Sequence, residues 1–288
     1  MPSTVGTGTV APNSVHAGGR VCRQTYGRLV TEGEADPDVF HLADLTSPEA
    51  AQIAARRSVI GLIPLGAVEQ HGPHLPLATD AIIAEYLAHH VAARLSSPVV
   101  VAPVVAGGMS WHHLGFPGTV HLDKETFAGC IRAYLDTFTR LGVRRIAIFS
   151  AHGGNFALLH EMMGNWSSEC QVQLTAYTDL PRYLCVMAEA AAKAGLIVPP
   201  TDAHAGGLET SQMMFLLGED RIQIPDDLSG CYVEAESGWL ERLLNEGVDA
   251  LSPIGVVGMP KGASSSVGEA ICQSLVDELV VWIEESLA

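Results

Sequence analysis

Short apolar runs alternate with segments whose apolar residues recur at helical spacing. Four runs predict buried strands, at residues 58–65, 99–105, 144–150 and 171–177. Helical spacing predicts helices near residues 46–56, 81–95, 124–141, 156–166, 182–194, 207–217 and 265–286. Since strands alternate with helices, we expect an α/β fold with a mostly parallel sheet covered on both faces.

The first 38 residues differ from the rest of the chain. They are rich in Gly, Thr, Ser and Pro and have no hydrophobic period. This composition predicts a flexible N-terminal arm over residues 1–38, which a neighbouring subunit could order. The packed domain is then expected over residues 39–288.

Composition narrows the functional classes. The 288 residues are 48% hydrophobic, enough for one sizeable core, and the net charge of −16 argues against nucleic acid as a partner. The six cysteines form no C-x-x-C pair, which argues against a disulfide framework or a structural zinc site and favours a reducing cytoplasm. No apolar run is long enough for a membrane span, so no membrane association is expected.

Residues 65–80 form the most informative segment. Glu69 and His71 stand two apart, and Gly72-Pro73 supplies a bend that lets their side chains converge. Asp80 follows at the start of a predicted helix. Two carboxylates and an imidazole would suit zinc, manganese or iron. The alternative is that Asp80 only caps the helix and His71 is an ordinary turn histidine.

A second polar segment, His152-Gly153-Gly154-Asn155, lies between a predicted strand and a predicted helix. A phosphate cradle is the alternative interpretation, but the glycine-rich and lysine-containing phosphate motifs are absent. A turn that directs His152 at a ligand is favoured. Because ligands bind at the carboxyl ends of parallel strands, Glu69 and His152 are expected to meet at one edge of the sheet.

The third segment runs from Thr201 to Ser211 and follows Pro199-Pro200. His204 and Glu209 can both point inward, because two glycines between them permit a turn. Asp202 could orient His204 and fix its tautomer. Alternatively, Asp202 is only a turn residue, and Glu209 is only an acid in the first turn of the helix, where it interacts favourably with the helix dipole.

Together these segments resemble the creatininase (creatinine amidohydrolase) family. The resemblance covers residue 41 to the C-terminus and rests on I-P-L-G-A-V-E-Q-H-G-P-H-L-P-L-A-T-D at 63–80, G-M-S-W-H-H-L-G-F-P-G-T at 108–119, H-G-G-N at 152–155, D-A-H-A-G-G-L-E-T-S at 202–211 and G-V-V-G-M-P at 255–260. It implies a three-layer α/β/α hydrolase with two divalent metal ions (Zn, Mn or Fe), and a homo-oligomer, commonly a hexamer.

The resemblance also implies a ligand set. Glu69 and His152 would bind one metal ion, His71 the other, and Asp80 both. Creatininase carries a glutamate two residues after its equivalent of His152, where this chain has Gly154. Glu209 is therefore expected to supply the missing ligand, and creatinine itself is not favoured as the substrate.

The expected activity is hydrolysis of a C–N bond in a small-molecule amide, which could be cyclic or a formamide, by metal-activated water. We expect His204 to shuttle the proton to the leaving nitrogen, with Asp202 beside it. The substrate pocket is expected to include Ser110, Trp111, His113 and Phe116. The alternatives are a peptidase resembling the mycofactocin-maturation member of the family, a non-catalytic metal- or ligand-binding homologue, and a nucleotide-binding α/β protein.

Overall fold

The computed structural model describes residues 38–288 apart from residues 55 and 57. Except for its last residue, the predicted arm over residues 1–38 therefore lies outside the described residues.

A five-stranded parallel sheet forms the centre of the fold. Its strands are β1 (Val39–His41), β2 (Ile60–Leu65), β3 (Val99–Val101), β4 (Arg145–Ser150) and β5 (Gln173–Ala176), in the spatial order β1-β3-β2-β4-β5. The central strands β2 and β4 pair from Ile60 opposite Arg145 to Leu65 opposite Ser150. All six residues of β2 are buried, as expected for a strand covered on both faces.

Eight α-helices occur in the described part of the chain: α1 (Ser47–Ala54), α2 (Thr79–Ala92), α3 (Lys124–Arg140), α4 (Phe156–Cys170), α5 (Leu180–Lys193), α6 (Gly207–Leu217), α7 (Trp239–Glu246) and α8 (Ser265–Ser286). None of these described helices combines the length and apolar character needed to cross a membrane.

The helices cover the sheet in two layers. Ile60 and Leu62 point to one face, where they pack in a core with residues of α2, α5, α6 and α8. Ile63 and Leu65 point to the other face and share a core with α1, α3 and α4. This alternation follows from the two-residue period of a strand. The three-layer α/β/α architecture expected from the sequence is confirmed.

The strand order creates a switch point at the carboxyl ends of β2 and β4. After β2 the chain passes through α2 to β3 on one side, whereas β4 lies on the other side of β2. The loops after β2 and β4 therefore leave the same edge in adjacent positions, which is where open α/β sheets bind ligands.

One local expectation was wrong, and two short elements were missed. The third strand ends at Val101 rather than residue 105, because Pro103 cannot donate to a ladder, and Val105 makes only an isolated bridge with Leu65. The short strand β1 was not predicted. Neither was α7, an eight-residue helix between Gly238 and Gly247 whose apolar face is too short to show a sustained period.

Candidate metal centre

The loop after β2 folds back on itself and buries its polar side chains. The backbone N–H of Glu69 donates to the carbonyl of Leu77, and Gly72 turns the chain with φ of +62°, a conformation that favours glycine. Glu69 and His71 are fully buried, and Asp80 is 1% exposed. Such complete burial of three polar side chains indicates a function beyond turn formation.

Asp80 lies in the first turn of α2, after Thr79, and is not the residue that caps it. Its Oδ1 lies 3.2 Å from Nε2 of His71, and its Oδ2 lies 3.2 Å from Nδ1 of His152. The interpretation of Asp80 as a helix cap is therefore wrong. The two oxygens of one carboxylate face two histidines from different loops.

Two groups of potential ligands share Asp80. In the first, Glu69, Asp80 and His152 bring one donor atom each within 4.8 Å of one another. In the second, His71, Asp80 and Glu209 do the same, with Oε2 of Glu209 3.7 Å from Nε2 of His71. A further grouping, Glu69, His71 and His204, meets the same distance limit.

The second nitrogen of each histidine supports this arrangement. Nδ1 of His71 lies 3.2 Å from the carbonyl oxygen of Glu69, so this nitrogen donates a proton to the carbonyl and Nε2 is the nitrogen left to bind a metal ion. In His152, Nε2 lies 3.4 Å from Oγ of Ser110 and from the carbonyl of Met109, and Nδ1 faces the carboxylates. Metal-binding histidines are typically held by their other nitrogen in this way.

The carboxylates also fit a bound cation. Both oxygens of Glu69 and Oδ2 of Asp80 are buried, and within the described residues none of them accepts a hydrogen bond of good geometry, although ring nitrogens of His113 and His152 lie 3.1–3.2 Å from Oε1 of Glu69 and from Oδ2 of Asp80. A buried carboxylate without a partner is strongly unfavourable, and a cation between the carboxylates and the histidines would remove that cost. The donor set therefore fits divalent metal ions.

Electrostatics lead to the same conclusion. Burial lowers the pKa of His71, but the charges of Asp80, Glu209 and Glu69 outweigh burial and raise it to about 10. Burial likewise opposes protonation of His152, yet Glu69 and Asp80 raise its pKa well above the usual range. Burial raises the pKa of Glu209 to about 7. The carboxylates thus create a site that attracts positive charge.

Glu209 reaches the centre from α6. Gly206 precedes the helix, Ala205 has φ of +51°, and the N–H of Ala205 donates to Oε2 of Glu209 at 2.6 Å. A Cβ atom at Gly154 would lie 2.4 Å from the carbonyl oxygen of Met109, so residue 154 cannot carry a side chain without movement. The third potential ligand of the second group is therefore Glu209 and not a side chain at position 154.

His204 lies beside the two groups and is 7% exposed. Its Nε2 is 2.7 Å from the carbonyl oxygen of Gln70, and its Nδ1 is 3.8 Å from Oε1 of Glu69. Burial holds the pKa of His204 well below its usual range. The ring is therefore neutral, and its Nδ1 faces Glu69.

Asp202 does not orient His204 as the sequence suggested. Its oxygens accept hydrogen bonds from the backbone N–H groups of Gly207, Leu208 and Met259 at 2.9, 3.1 and 3.0 Å. Within the described residues no hydrogen bond joins Asp202 to His204. Asp202 instead fixes the start of α6 and the loop at Met259.

A cavity of about 470 Å³ opens over the candidate metal centre. His113 lines it, as expected, but Ser110, Trp111 and Phe116 do not. Ser110 is buried against His152, Trp111 is 39% exposed, and Phe116 packs with Leu243, Val248 and Val257. Of the four residues that were expected to line the pocket, only His113 does so.

Several lining residues were not identified from the sequence. The apolar wall consists of Leu180, Tyr183, Leu184 and Met187 of α5 and Leu240, Leu243 and Leu244 of α7. No lysine or arginine is among the lining residues. The spacing in α5 was visible as a helix face, but only the fold shows that this face points into the cavity.

Comparison with known proteins agrees with this geometry. The family model named Creatininase, described as creatinine amidohydrolase, matches residues 43–283. The mycofactocin precursor peptide peptidase of Mycolicibacterium smegmatis is 33% identical over 223 residues, which are 75% of this chain and 81% of that protein.

Solved structures of creatininase share the fold. The structure titled creatininase Mn has a TM-score of 0.69 at 22% identity and covers 86% of this chain and 99% of its own. A creatininase variant of Zn-Zn type has a TM-score of 0.68 at 22% identity, with coverage of 86% and 98%. The matches in sequence and fold show that this chain belongs to the creatininase family of metal-dependent amidohydrolases.

Proposed function

We propose that this chain hydrolyses a C–N amide bond of a small molecule with two divalent metal ions bound at the carboxyl edge of the sheet. Glu69, Asp80 and His152 would hold one ion, and His71, Asp80 and Glu209 the other. The observation that carries this proposal is the position of Asp80, whose two oxygens face the two groups separately.

The donor set limits the choice of metal. Each group combines carboxylate oxygens with one imidazole nitrogen and has no thiolate. Such ligands suit zinc, manganese or iron. When bound, a pair of such ions lowers the pKa of a water molecule, so that a nucleophile forms near neutral pH.

The residues of the chain supply the remaining parts of the mechanism. His204, whose Nδ1 lies 3.8 Å from Oε1 of Glu69, would accept the proton of the attacking water and then donate it to the departing nitrogen. Glu69, Asp80 and His204 are almost fully buried, which strengthens the electrostatic interactions among them.

The cavity indicates the substrate class. Its volume of about 470 Å³ accommodates a small amide, and its lining contains no lysine or arginine that would pair with an anionic group of the substrate. Cyclic amides and formamides fit these limits.

A short peptide is the second candidate substrate. Two observations favour it: the apolar wall between α5 and α7, which would bind an apolar side chain, and the relative named mycofactocin precursor peptide peptidase. The proposed metal centre would be the same for both substrates.

We also propose a homo-oligomer, with a hexamer as the expected assembly. Exposed apolar side chains support association: Leu114, Val120 and Trp111 are 56%, 46% and 39% exposed. Light scattering would test this, and a monomer at micromolar concentration would contradict it.

The deciding experiment measures metal content after purification without chelator. We expect about two divalent ions per chain in the wild type and about one in Glu209→Ala. Glu125→Ala is the matched control, because Glu125 is an exposed acid in the first turn of another helix. The metal-loaded protein would then be screened with cyclic amides, formamides and short peptides.

Absence of metal in the wild type, unrestored by incubation with zinc, manganese or iron, would contradict the proposal. Two bound ions without hydrolysis of any tested amide would instead favour a non-catalytic binding protein.

A further inference from the structure

The side chain of Gln70 lies between two histidines of the candidate site, and its orientation follows from the backbone. The N–H of Gly72 donates to Oε1 of Gln70 at 2.9 Å. Because a backbone N–H can only donate, the amide atom it meets must be the oxygen. The other amide atom is then Nε2, and it faces His113 and His204.

The amide has little freedom to turn over. A Cβ atom at Gly255, whose φ is +77°, would lie 2.0 Å from Oε1 of Gln70, so the loop that carries Gly255 packs directly on the amide. Gln70 is 4% exposed, and its backbone N–H donates to Oγ1 of Thr119 at 3.1 Å. Both ends of the residue are therefore fixed.

This orientation determines the tautomer of His113. Nε2 of Gln70 lies 2.8 Å from Nδ1 of His113 and has only protons to offer, so Nδ1 must accept. The proton of the neutral ring is then on Nε2, which lies 3.1 Å from Oε1 of Glu69. His113 consequently directs an N–H group at a carboxylate of the proposed metal centre.

The backbone of the same residue determines the tautomer of His204. The carbonyl oxygen of Gln70 lies 2.7 Å from Nε2 of His204 and can only accept, so this nitrogen carries the proton. Nε2 of the Gln70 amide also lies 3.0 Å from this nitrogen, but the amide is closer to Nδ1 of His113, at 2.8 Å, and the carbonyl is the nearer Gln70 partner of Nε2 of His204. Nδ1 of His204 keeps its lone pair on the side of Glu69.

We infer that Gln70 is a positioning residue that sets which nitrogen carries the proton in both His113 and His204. Through its amide it leaves the Nε2–H group of His113 on the side of Glu69, and through its carbonyl it leaves the lone pair on Nδ1 of His204 on the side of Glu69. The catalytic consequence, that His204 receives a proton before it gives one, rests on the proposed function.

The tautomers can be measured without a substrate. Nitrogen-15 NMR of zinc-loaded protein labelled at histidine separates protonated from unprotonated ring nitrogens, and His113→Gln and His204→Gln assign the two rings. We expect Nε2 protonated and Nδ1 unprotonated in both histidines. A proton on Nδ1 of either ring in the wild type would overturn the inference for that ring.

A variant tests the amide separately from the carbonyl. In Gln70→Met the Nδ1 resonance of His113 should move towards that of a nitrogen without a hydrogen bond, while the His204 resonances stay in place because the backbone carbonyl remains.

The matched control is Gln212→Met, because Gln212 is also fully buried and lines the cavity from α6. In that variant the His113 resonances should stay unchanged. An unchanged Nδ1 resonance of His113 in Gln70→Met would overturn the role of the amide. Because no substrate is involved, either result stands even if the proposed hydrolysis is not found.

Discussion

Oδ1 of Asp80 lies 3.2 Å from Nε2 of His71, and both side chains are buried. The remaining oxygen of Asp80 faces the other group of potential ligands. One carboxylate therefore serves both halves of the proposed metal centre, and the site depends on this residue more than on any other single ligand.

We predict that Asp80→Asn weakens both metal sites together. An amide lacks the charge that holds two cations, so affinity should fall by more than the roughly 10- to 100-fold typical of an outer-partner substitution. Metal analysis after gel filtration measures this. Asp277→Asn, which changes an exposed acid paired with Arg94, should bind like the wild type. Retention of both ions in Asp80→Asn would refute the shared-ligand assignment.

His204→Ala separates a proton shuttle from a metal ligand. We expect hydrolysis of the amide found in the screen to slow by roughly 10²- to 10⁴-fold, the usual contribution of general acid–base catalysis, with unchanged metal content. His160→Ala, at an exposed histidine that lines the cavity, is the control. Loss of an ion from His204→Ala would instead make His204 a ligand with Glu69 and His71.

Asp202→Asn should lower stability without removing metal. Asp202 now accepts hydrogen bonds from three backbone N–H groups, and in the variant the amide NH₂ would face at least one of them. That buried N–H group would lose its acceptor, which costs about 1–3 kcal/mol. Urea unfolding measures the change. Asp179→Asn should be close to neutral, because Asp179 caps α5 through one hydrogen bond and Asn caps as well as Asp. Equal stability of both variants would contradict the structural role of Asp202.

We predict that the protein loses stability in acid because of His89, which is not one of the candidate metal ligands. Burial, together with the charges of His90 and His41, lowers the pKa of His89 to about 4. Because the unfolded chain then binds the proton more readily than the folded one, the stability that neutral His89 retains near pH 7 is lost as the pH falls from about 6.5 towards 4.

The test compares unfolding of the wild type and His89→Gln at pH 7 and pH 5. The variant should lose less stability over this interval, since Gln does not titrate. His160→Gln is the matched control at an exposed histidine. A pH dependence of His89→Gln equal to that of the wild type would rule out this contribution.

Expectations that rest on local sequence patterns were more successful than expectations that depend on contacts between distant residues, and the reason is physical. The strand before Glu69 and the helix over Gly207–Leu217 depend on local hydrophobic patterns, and both were predicted correctly. The role of Asp202 was missed because its partners, including Met259, are fixed by tertiary packing. The pocket role of Trp111 and Phe116 failed similarly, since a motif does not reveal which side of it faces the substrate.

The sequence alone determined the α/β class, the family resemblance and the polar segments that carry the candidate ligands. These depend on residue type and short-range spacing, which the chain displays directly. Only the tertiary structure decided that Asp80 faces both ligand groups and that α7 forms part of the cavity wall. It also decided that Gln70 contacts both His113 and His204. These relationships join residues up to 134 positions apart, and packing alone brings such residues together.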